Sequence, residues 1–236
     1  MQHILFNGSE RGVKDIGWLK SNFTFSFSSY YNPSKNGFGL LKVFNDDFVE
    51  AGKGFGLHPH QNMEIISIML NGQMNHKDSL GYADVVEKDW VQIMSAGSGL
   101  RHEEYNVGSD DVNFLQIWIE PKLQNINPRY QRRNFPKDQR NNQLVTVVSS
   151  EEGQQHCWIN QNAKLSLGWF EAEKSVTYQF NPVNKGIFVF LMEGEAEVNG
   201  IKIGRRDAVG LWETEQVELR FVKETEFIII EAPINY

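Results

Sequence analysis

The sequence predicts an all-β chain made of two barrels in tandem. Short segments with a two-residue apolar period follow one another at regular spacing, separated by Gly, Asn and Asp turns. No segment carries a convincing helical period. A weak internal repeat doubles the unit: Ile68-Met69-Leu70-Asn71-Gly72-Gln73 matches Phe190-Leu191-Met192-Glu193-Gly194-Glu195, and Asp89-Trp90-Val91 matches Asp207-Ala208-Val209.

The elements follow in order. Phe23, Phe25 and Phe27 alternate with Thr24 and Ser26, which predicts a strand with one buried aromatic face. Residues 37–44 and 48–51 are expected as two extended pieces around a turn at Asn45-Asp46. Residues 64–70 end at Asn71-Gly72, whose preference for positive φ predicts a tight hairpin with residues 73–79 running back alongside. Further strands are expected over 82–87, 90–94, 101–106 and 112–120. From Pro121 to Asn142, Pro128 and Pro136 are joined by Arg129, Arg132, Arg133, Lys137 and Arg140, with little aliphatic content. That reads as a solvated connection over the surface; the sharper reading is a rim that guides anions to a pocket. Strands resume over 144–148, 163–170, 176–180, 186–192, 196–203, 216–222 and 226–232. The predicted domains are residues 1–134 and 135–236.

The totals bound the function. A chain of 236 residues holds one large β domain or two of about 100–120 residues. A net charge of -7 argues against general binding of a nucleic-acid backbone, which needs concentrated Lys and Arg. Cys157 is the only cysteine, so an intrachain disulfide is excluded and a reducing compartment, the cytoplasm, is expected. Met1 to Phe6 has no pattern of a secretory signal, and no apolar run is long enough for a membrane span.

The histidines concentrate the chemistry in the first half. His58 and His60 sit two apart after the Gly-rich approach of Gly52, Gly54 and Gly56. His102 and Glu104 are also two apart, after Gly97 and Gly99. Residues two apart on a strand face the same way. Each pair, if extended, points two ligands into a barrel, where imidazoles and a carboxylate hold a divalent transition metal. A His-x-His pair alone is a weak signal; the second pair and the matching parity strengthen it. Glu64 shares the parity of His58 and His60, so spacing leaves the carboxylate open between Glu64 and Glu104, while Glu103 points the other way. His76, Asp78 and Gln116 are candidates for orienting a ligand or substrate. No histidine lies beyond His156, and the repeat offset puts Phe180 and Pro182 where His58 and His60 stand. The second copy is expected to be a scaffold without ligands.

At these residues the chain resembles the cupins, and more closely the pirins of the quercetin 2,3-dioxygenase-like type. The matching stretches are Gly17-Trp18-Leu19, Thr24-Phe25-Ser26-Phe27, Phe55-Gly56-Leu57-His58-Pro59-His60 with Met63-Glu64, and His76-Lys77-Asp78-Ser79. Gln92 to Gly99, His102-Glu103-Glu104-Tyr105-Asn106, Gln116-Ile117-Trp118-Ile119 and Pro128-Arg129-Tyr130 complete them. The resemblance implies a monomeric bicupin, two jelly-roll barrels with a degenerate C-terminal one. It implies one metal on His58, His60, His102 and Glu104, which favours Glu104 over Glu64. Gly97 stands where general cupins have proline, as in pirins, and no ligand is missing. Fe(II) is the leading expectation for the metal, with Zn, Ni, Mn, Co or Cu as substitutes. The implied activity is a dioxygenase that consumes O2, opens a flavonol such as quercetin and releases carbon monoxide, with Glu104 also accepting the hydroxyl proton. The alternatives are a metal-binding regulator acting through a protein partner, and a cupin isomerase or detoxifying enzyme with another small substrate.

Overall fold

The computed structural model describes residues 1–181 and 184–234. Among them are two short 3-10 turns, Gly8–Glu10 and Lys137–Arg140, and otherwise only strands and connections. Among the described residues no helix is long and apolar enough to cross a membrane. The strands form two barrels on one plan. In the first, a seven-stranded sheet runs Arg129–Asn134, Trp90–Ser95, Glu64–Asn71, Val112–Ile119, Leu41–Val49, Leu19–Phe23, Gly12–Asp15. A four-stranded sheet of Gly54–His60, Leu100–Asn106, Gln73–Asp78 and Ala83–Glu87 completes that barrel. In the second, the long sheet runs Gln2–Phe6, Ala208–Trp212, Lys185–Glu193, Thr225–Pro233, Lys164–Phe170, Leu144–Ser149, Cys157–Trp158. Its short sheet is Ser175–Gln179, Gln216–Phe221, Glu195–Val198 and Ile201–Gly204.

The two long sheets pack on each other, and this explains the apolar runs. In Lys185–Glu193, Ile187, Val189 and Leu191 face the interior of the second barrel, while Phe188, Phe190 and Met192 face the first. A strand buried on both faces has no polar side to alternate with. Phe44 meets Phe190 and Phe188 across the seam, with ring centroids 4.7 and 5.1 Å apart. Phe6 meets Phe25 edge-on at 5.4 Å in the same layer. Ion pairs close the edges of the seam: the buried Arg140 binds Asp89 at 2.5 Å and Glu226 at 2.9 Å. Arg206 reaches Asp46 at 3.2 Å. The strand Gln2–Phe6 pairs antiparallel with Ala208–Trp212, so residues at the head of the chain complete the sheet of the second half.

Four local expectations are corrected. Asn71-Gly72 makes no hairpin: Glu64–Asn71 and Gln73–Asp78 lie in different sheets, and the dipeptide is the corner between them. Gly72 takes φ 77, and a Cβ there would stand 3.0 Å from the Val112 Cα. Gly194 (φ 96) makes the same corner in the second barrel, so the repeat in sequence is a repeated corner. The turn expected at Asn45-Asp46 is absent, because Leu41–Val49 is one continuous strand. Its buried Asp46 carboxylate is satisfied by Asn113 at 2.8 Å, Arg206 at 3.2 Å and Arg11 at 3.4 Å. The strand expected over Phe23 to Phe27 ends at Phe23, where Ser26 Oγ bonds to Asn32 and Ser28 turns with φ 53. The Pro/Arg segment is a solvated connection only in part: residues 122–125 are exposed and lie outside any strand. It contains the strand Arg129–Asn134, paired with Trp90–Ser95, and its cations are engaged by neighbours. Arg129 lies over Trp158, Arg132 binds Asp84 at 2.8 Å, and Arg133 donates to the His156 carbonyl at 2.9 Å.

Candidate metal centre

Gly54–His60 and Leu100–Asn106 run antiparallel inside the first barrel with His58 opposite His102. The register slips between His102 and Glu104, a bulge that changes the aim of the carboxylate relative to His58. On its other edge Leu100–Asn106 sets His102 against Asp78 and Glu104 against His76. The rings of His58, His60 and His102 converge, with centroids 4.4, 4.8 and 5.0 Å apart. One nitrogen from each lies within 4.8 Å of the others. Two nitrogens on one ion at about 2.1 Å are at most about 4.2 Å apart, so small side-chain adjustments bring the trio to ligation distance. His76, His102 and Glu104 form a second group of the same tightness, with His102 common to both. Among the sequence-predicted ligands, His58 and His60 thus share one group with His102, and Glu104 shares the other; no single group of the described residues holds all four.

The electrostatics favour a cation. Burial, then the neighbouring His58, lowers the pKa of His60 to about 4. Burial, then His58, His60 and His76, lowers that of His102 to about 2. Neutral imidazoles keep their lone pairs free for a metal without releasing a proton first. His58 Nδ1 is hydrogen-bonded to the Gly56 carbonyl at 2.8 Å, which fixes the proton on Nδ1 and frees Nε2. The Nε2 of His102 is buried without a hydrogen-bond partner, an orphan that a metal would satisfy. Burial pushes Glu104 up to about 7, against the stabilising hydrogen bond from Gln92 Nε2 at 2.7 Å. The donor set of imidazole and carboxylate without thiolate fits Fe, Ni, Mn, Co, Cu or Zn.

The remaining candidates are placed as follows. Glu64 joins neither group: its carboxylate accepts from Ser95 Oγ at 2.7 Å and Asn160 N at 3.1 Å. Glu103 points away and pairs with Lys77 at 3.7 Å. Gln116 accepts from Ser67 Oγ at 3.2 Å and lines the pocket above the histidines. That pocket has a volume of about 220 Å³, with walls from Leu19, Phe23, Phe27, Phe55 and Trp118. Trp118 stands edge-on to both His60 and Phe27. Asn45 and Asp47 also line it, and Asn45 Oδ1, Asp47 Oδ1 and Trp118 Nε1 are buried without partners. Burial, with Asp46 and Glu104 adding to it, raises Asp47 to about 7 against a hydrogen bond from Ser21. Sequence reasoning missed Asn45 and Asp47 because it broke the strand there, with Asn45-Asp46 as a turn and Asp47 between the two extended pieces. It also missed the chain in which Tyr130 OH donates to Gln92 Oε1 at 3.1 Å and Gln92 holds Glu104. The alternation of Trp90 to Ser95 was the available signal for Gln92.

The second barrel fills the equivalent places differently. Counted from the corner glycines, His76 corresponds to Val198, and these face Glu104 and Leu219 respectively. Two residues earlier, His102 and Val217 face His58 and Tyr178. The repeat offset that put Phe180 in the place of His58 is thus off by two residues, since Tyr178 stands there; Pro182 lies outside the described residues.

Comparison with known proteins agrees with this architecture. The Pirin family profile matches residues 7–119, and a profile described as the quercetinase C-terminal cupin domain matches residues 146–232. A quercetin 2,3-dioxygenase of Escherichia coli K12 is 35% identical over 230 residues, covering 97% of this chain and 98% of the relative. A pirin-like protein of Caulobacter vibrioides is 35% identical, covering 94% and 95%. The crystal structure of the E. coli pirin YhhW in complex with nickel(II) superposes with a TM-score of 0.94 at 33% identity, over 99% of this chain and 100% of that one. Fold and site define a protein of two cupin domains. The chain belongs to the pirin family.

Proposed function

We propose that this protein is a metal-dependent dioxygenase that cleaves a flavonol such as quercetin in its first barrel. His58, His60, His102 and Glu104 would hold one divalent transition metal, Fe(II) first among the candidates. The observation that carries the reading is the convergence of three imidazoles, one with an orphaned buried Nε2, beneath an aromatic-walled pocket. The nickel(II) complex of the E. coli relative and the names of the relatives support it. When bound, the metal supplies Lewis acidity toward an ionised hydroxyl and redox access to O2.

The residues of the chain do the rest. Phe23, Phe27, Phe55 and Trp118 present flat apolar surface to an aromatic ring system. The volume of about 220 Å³ takes the reacting rings and leaves the remaining ring of a flavonol at the open mouth. Asn45 and Asp47 offer acceptors for substrate hydroxyls, and Trp118 Nε1 offers a donor for a carbonyl. Glu104, which also lines the pocket, takes the proton of the reacting hydroxyl. We assign the chemistry to residues 1–134 and a supporting role to 135–236, with Gln2–Phe6 crossing between them. The buried lone Cys157 fits a reducing compartment, and we place the protein in the cytoplasm as a monomer.

The test is aerobic turnover of quercetin by protein loaded separately with Fe, Ni, Mn or Cu, following flavonol absorbance and carbon monoxide release. Turnover that exceeds free metal and collapses in Glu104→Gln is the expected result. Turnover no faster than free metal with all four would overturn the proposal.

A further inference from the structure

His102 is held from behind by two side chains that line no part of the pocket. Its Nδ1 lies 3.4 Å from His76 Nδ1, and His76 Nε2 lies 2.9 Å from Asp78 Oδ2. All three residues are buried. A neutral imidazole has one donor and one acceptor nitrogen, and a carboxylate only accepts. His76 therefore donates from Nε2 to Asp78 and keeps a lone pair on Nδ1. The contact between the two Nδ1 atoms is then a hydrogen bond only if His102 carries its proton on Nδ1. That leaves His102 Nε2 bare, and Nε2 is the buried atom without a partner.

We propose that Asp78 and His76 are positioning residues, a relay that fixes the tautomer and aim of His102 so that Nε2 faces the metal. The proposal rests on the reading of His58, His60, His102 and Glu104 as ligands. It also resolves the overlap between the two clusters. His76 groups with His102 and Glu104, yet both its ring nitrogens are engaged, one by Asp78 and one by His102. His76 is a support and not a ligand.

The surroundings are built to hold this arrangement. The His76 ring stacks on Tyr130 at 4.2 Å and 11°. Tyr130 in turn holds Gln92, which holds Glu104. One stacked pair thereby ties together the supports of two ligands on the same strand. Asp78 is itself anchored, since its Oδ1 accepts from the backbone N–H groups of Leu80 at 2.9 Å and Tyr82 at 3.1 Å.

That anchoring makes Asp78→Asn an inversion of the relay with little change of shape. The two backbone donors keep Oδ1 where it is, so the new amide nitrogen faces His76 Nε2. It donates, His76 accepts there and carries its proton on Nδ1, and His102 must accept at Nδ1. The His102 proton then sits on Nε2, where the lone pair is needed. The experiment is long-range imidazole 15N NMR on the metal-free full chain, with nickel(II) affinity measured by chelator competition. The wild type is expected to show His102 protonated on Nδ1, and Asp78→Asn on Nε2, with nickel bound about 10–100-fold more weakly. His58, held by the Gly56 carbonyl, should keep its tautomer in both. His76→Phe, which preserves the stack on Tyr130 but removes both nitrogens, should leave His102 in a mixture of tautomers, and it serves if Asp78→Asn does not fold. A His102 tautomer that is Nε2–H in the wild type, or that stays the same in both variants, overturns the relay. Wild-type protein with His102 in the Nδ1–H form that takes up no nickel would instead sink the metal reading and leave the relay standing.

Discussion

In the first barrel His58, His102 and Glu104 face inward; in the second, Tyr178, Val217 and Leu219 occupy the matching positions. The second interior is one continuous apolar cluster that includes all three of those residues. The first is split into two small apolar clusters with the polar site between them. Even the polar atom of Tyr178 is used structurally, its hydroxyl donating to Glu231 at 2.8 Å. The same strand plan thus serves two ends. One barrel spends its interior on orphaned polar atoms and lowered histidine pKa values, and the other on packing that holds both together.

The largest expected effect tests that division directly. His58→Ala or Glu104→Ala should lose most bound metal on elemental analysis after purification without added metal, while keeping the circular-dichroism spectrum of the parent. Unfolding instead of clean metal loss would mean that the site is part of the core. Phe188, by contrast, meets Phe6, Phe25, Phe38 and Phe44 in the layer between the barrels. Phe188→Ala should cost about 3–5 kcal/mol in urea unfolding. Because the layer is shared, both barrels should unfold in one transition; two separate transitions would show that they are independent.

Exchanging side chains sharpens the contrast. Leu219→Glu puts an unpaired carboxylate into a closed apolar core and should cost on the order of 3–5 kcal/mol. Glu104→Leu in metal-free protein removes a carboxyl that is already costly to bury, and should be neutral or stabilising by about 1–4 kcal/mol. Equal effects from the two would mean that the interiors do not differ as described.

Acidity probes the same liability with a smaller effect. His60 and His102 are held at about 4 and about 2, below the ordinary 6.5. The unfolded chain therefore gains protons first, and stability of the metal-free protein falls as pH drops below 6.5. Glu104 is raised from 4.5 to about 7, so its contribution has the opposite sign and is lost as pH rises from 4.5 towards 7. Glu104→Gln should therefore gain more in urea midpoint, relative to wild type, at pH 8 than at pH 4.5. The smallest effect concerns Cys157, buried and pushed up to about 12 by that burial. Alkylation at pH 8 should be negligible in folded protein and complete in denaturant.

Much of this was legible in the sequence. Strand parity and the two Gly-rich approaches pointed to His58, His60 and His102, whose rings converge, while parity left the carboxylate open between Glu64 and Glu104; the corner at Asn71-Gly72 appeared as a repeat. The sequence could not show that the corner joins two sheets, because Asn-Gly suits any tight turn with positive φ. Nor could it show that Asn45 and Asp46 sit in mid-strand, since what holds Asp46 there comes from Arg11, Asn113 and Arg206, far along the chain. Spacing could not separate Glu64 from Glu104, and only the resemblance favoured Glu104. Glu64 is occupied by Asn160 of the second half, a contact that no local spacing announces.

The pairing of Gln2–Phe6 with Ala208–Trp212 sets an order on assembly. During synthesis His3 leaves the ribosome more than two hundred residues before its opposite, Leu211. Until Ala208–Trp212 has emerged, the growing protein carries the ribbon Gln2–Phe6 with that edge unsatisfied, a vulnerability that ceases only when the two strands meet.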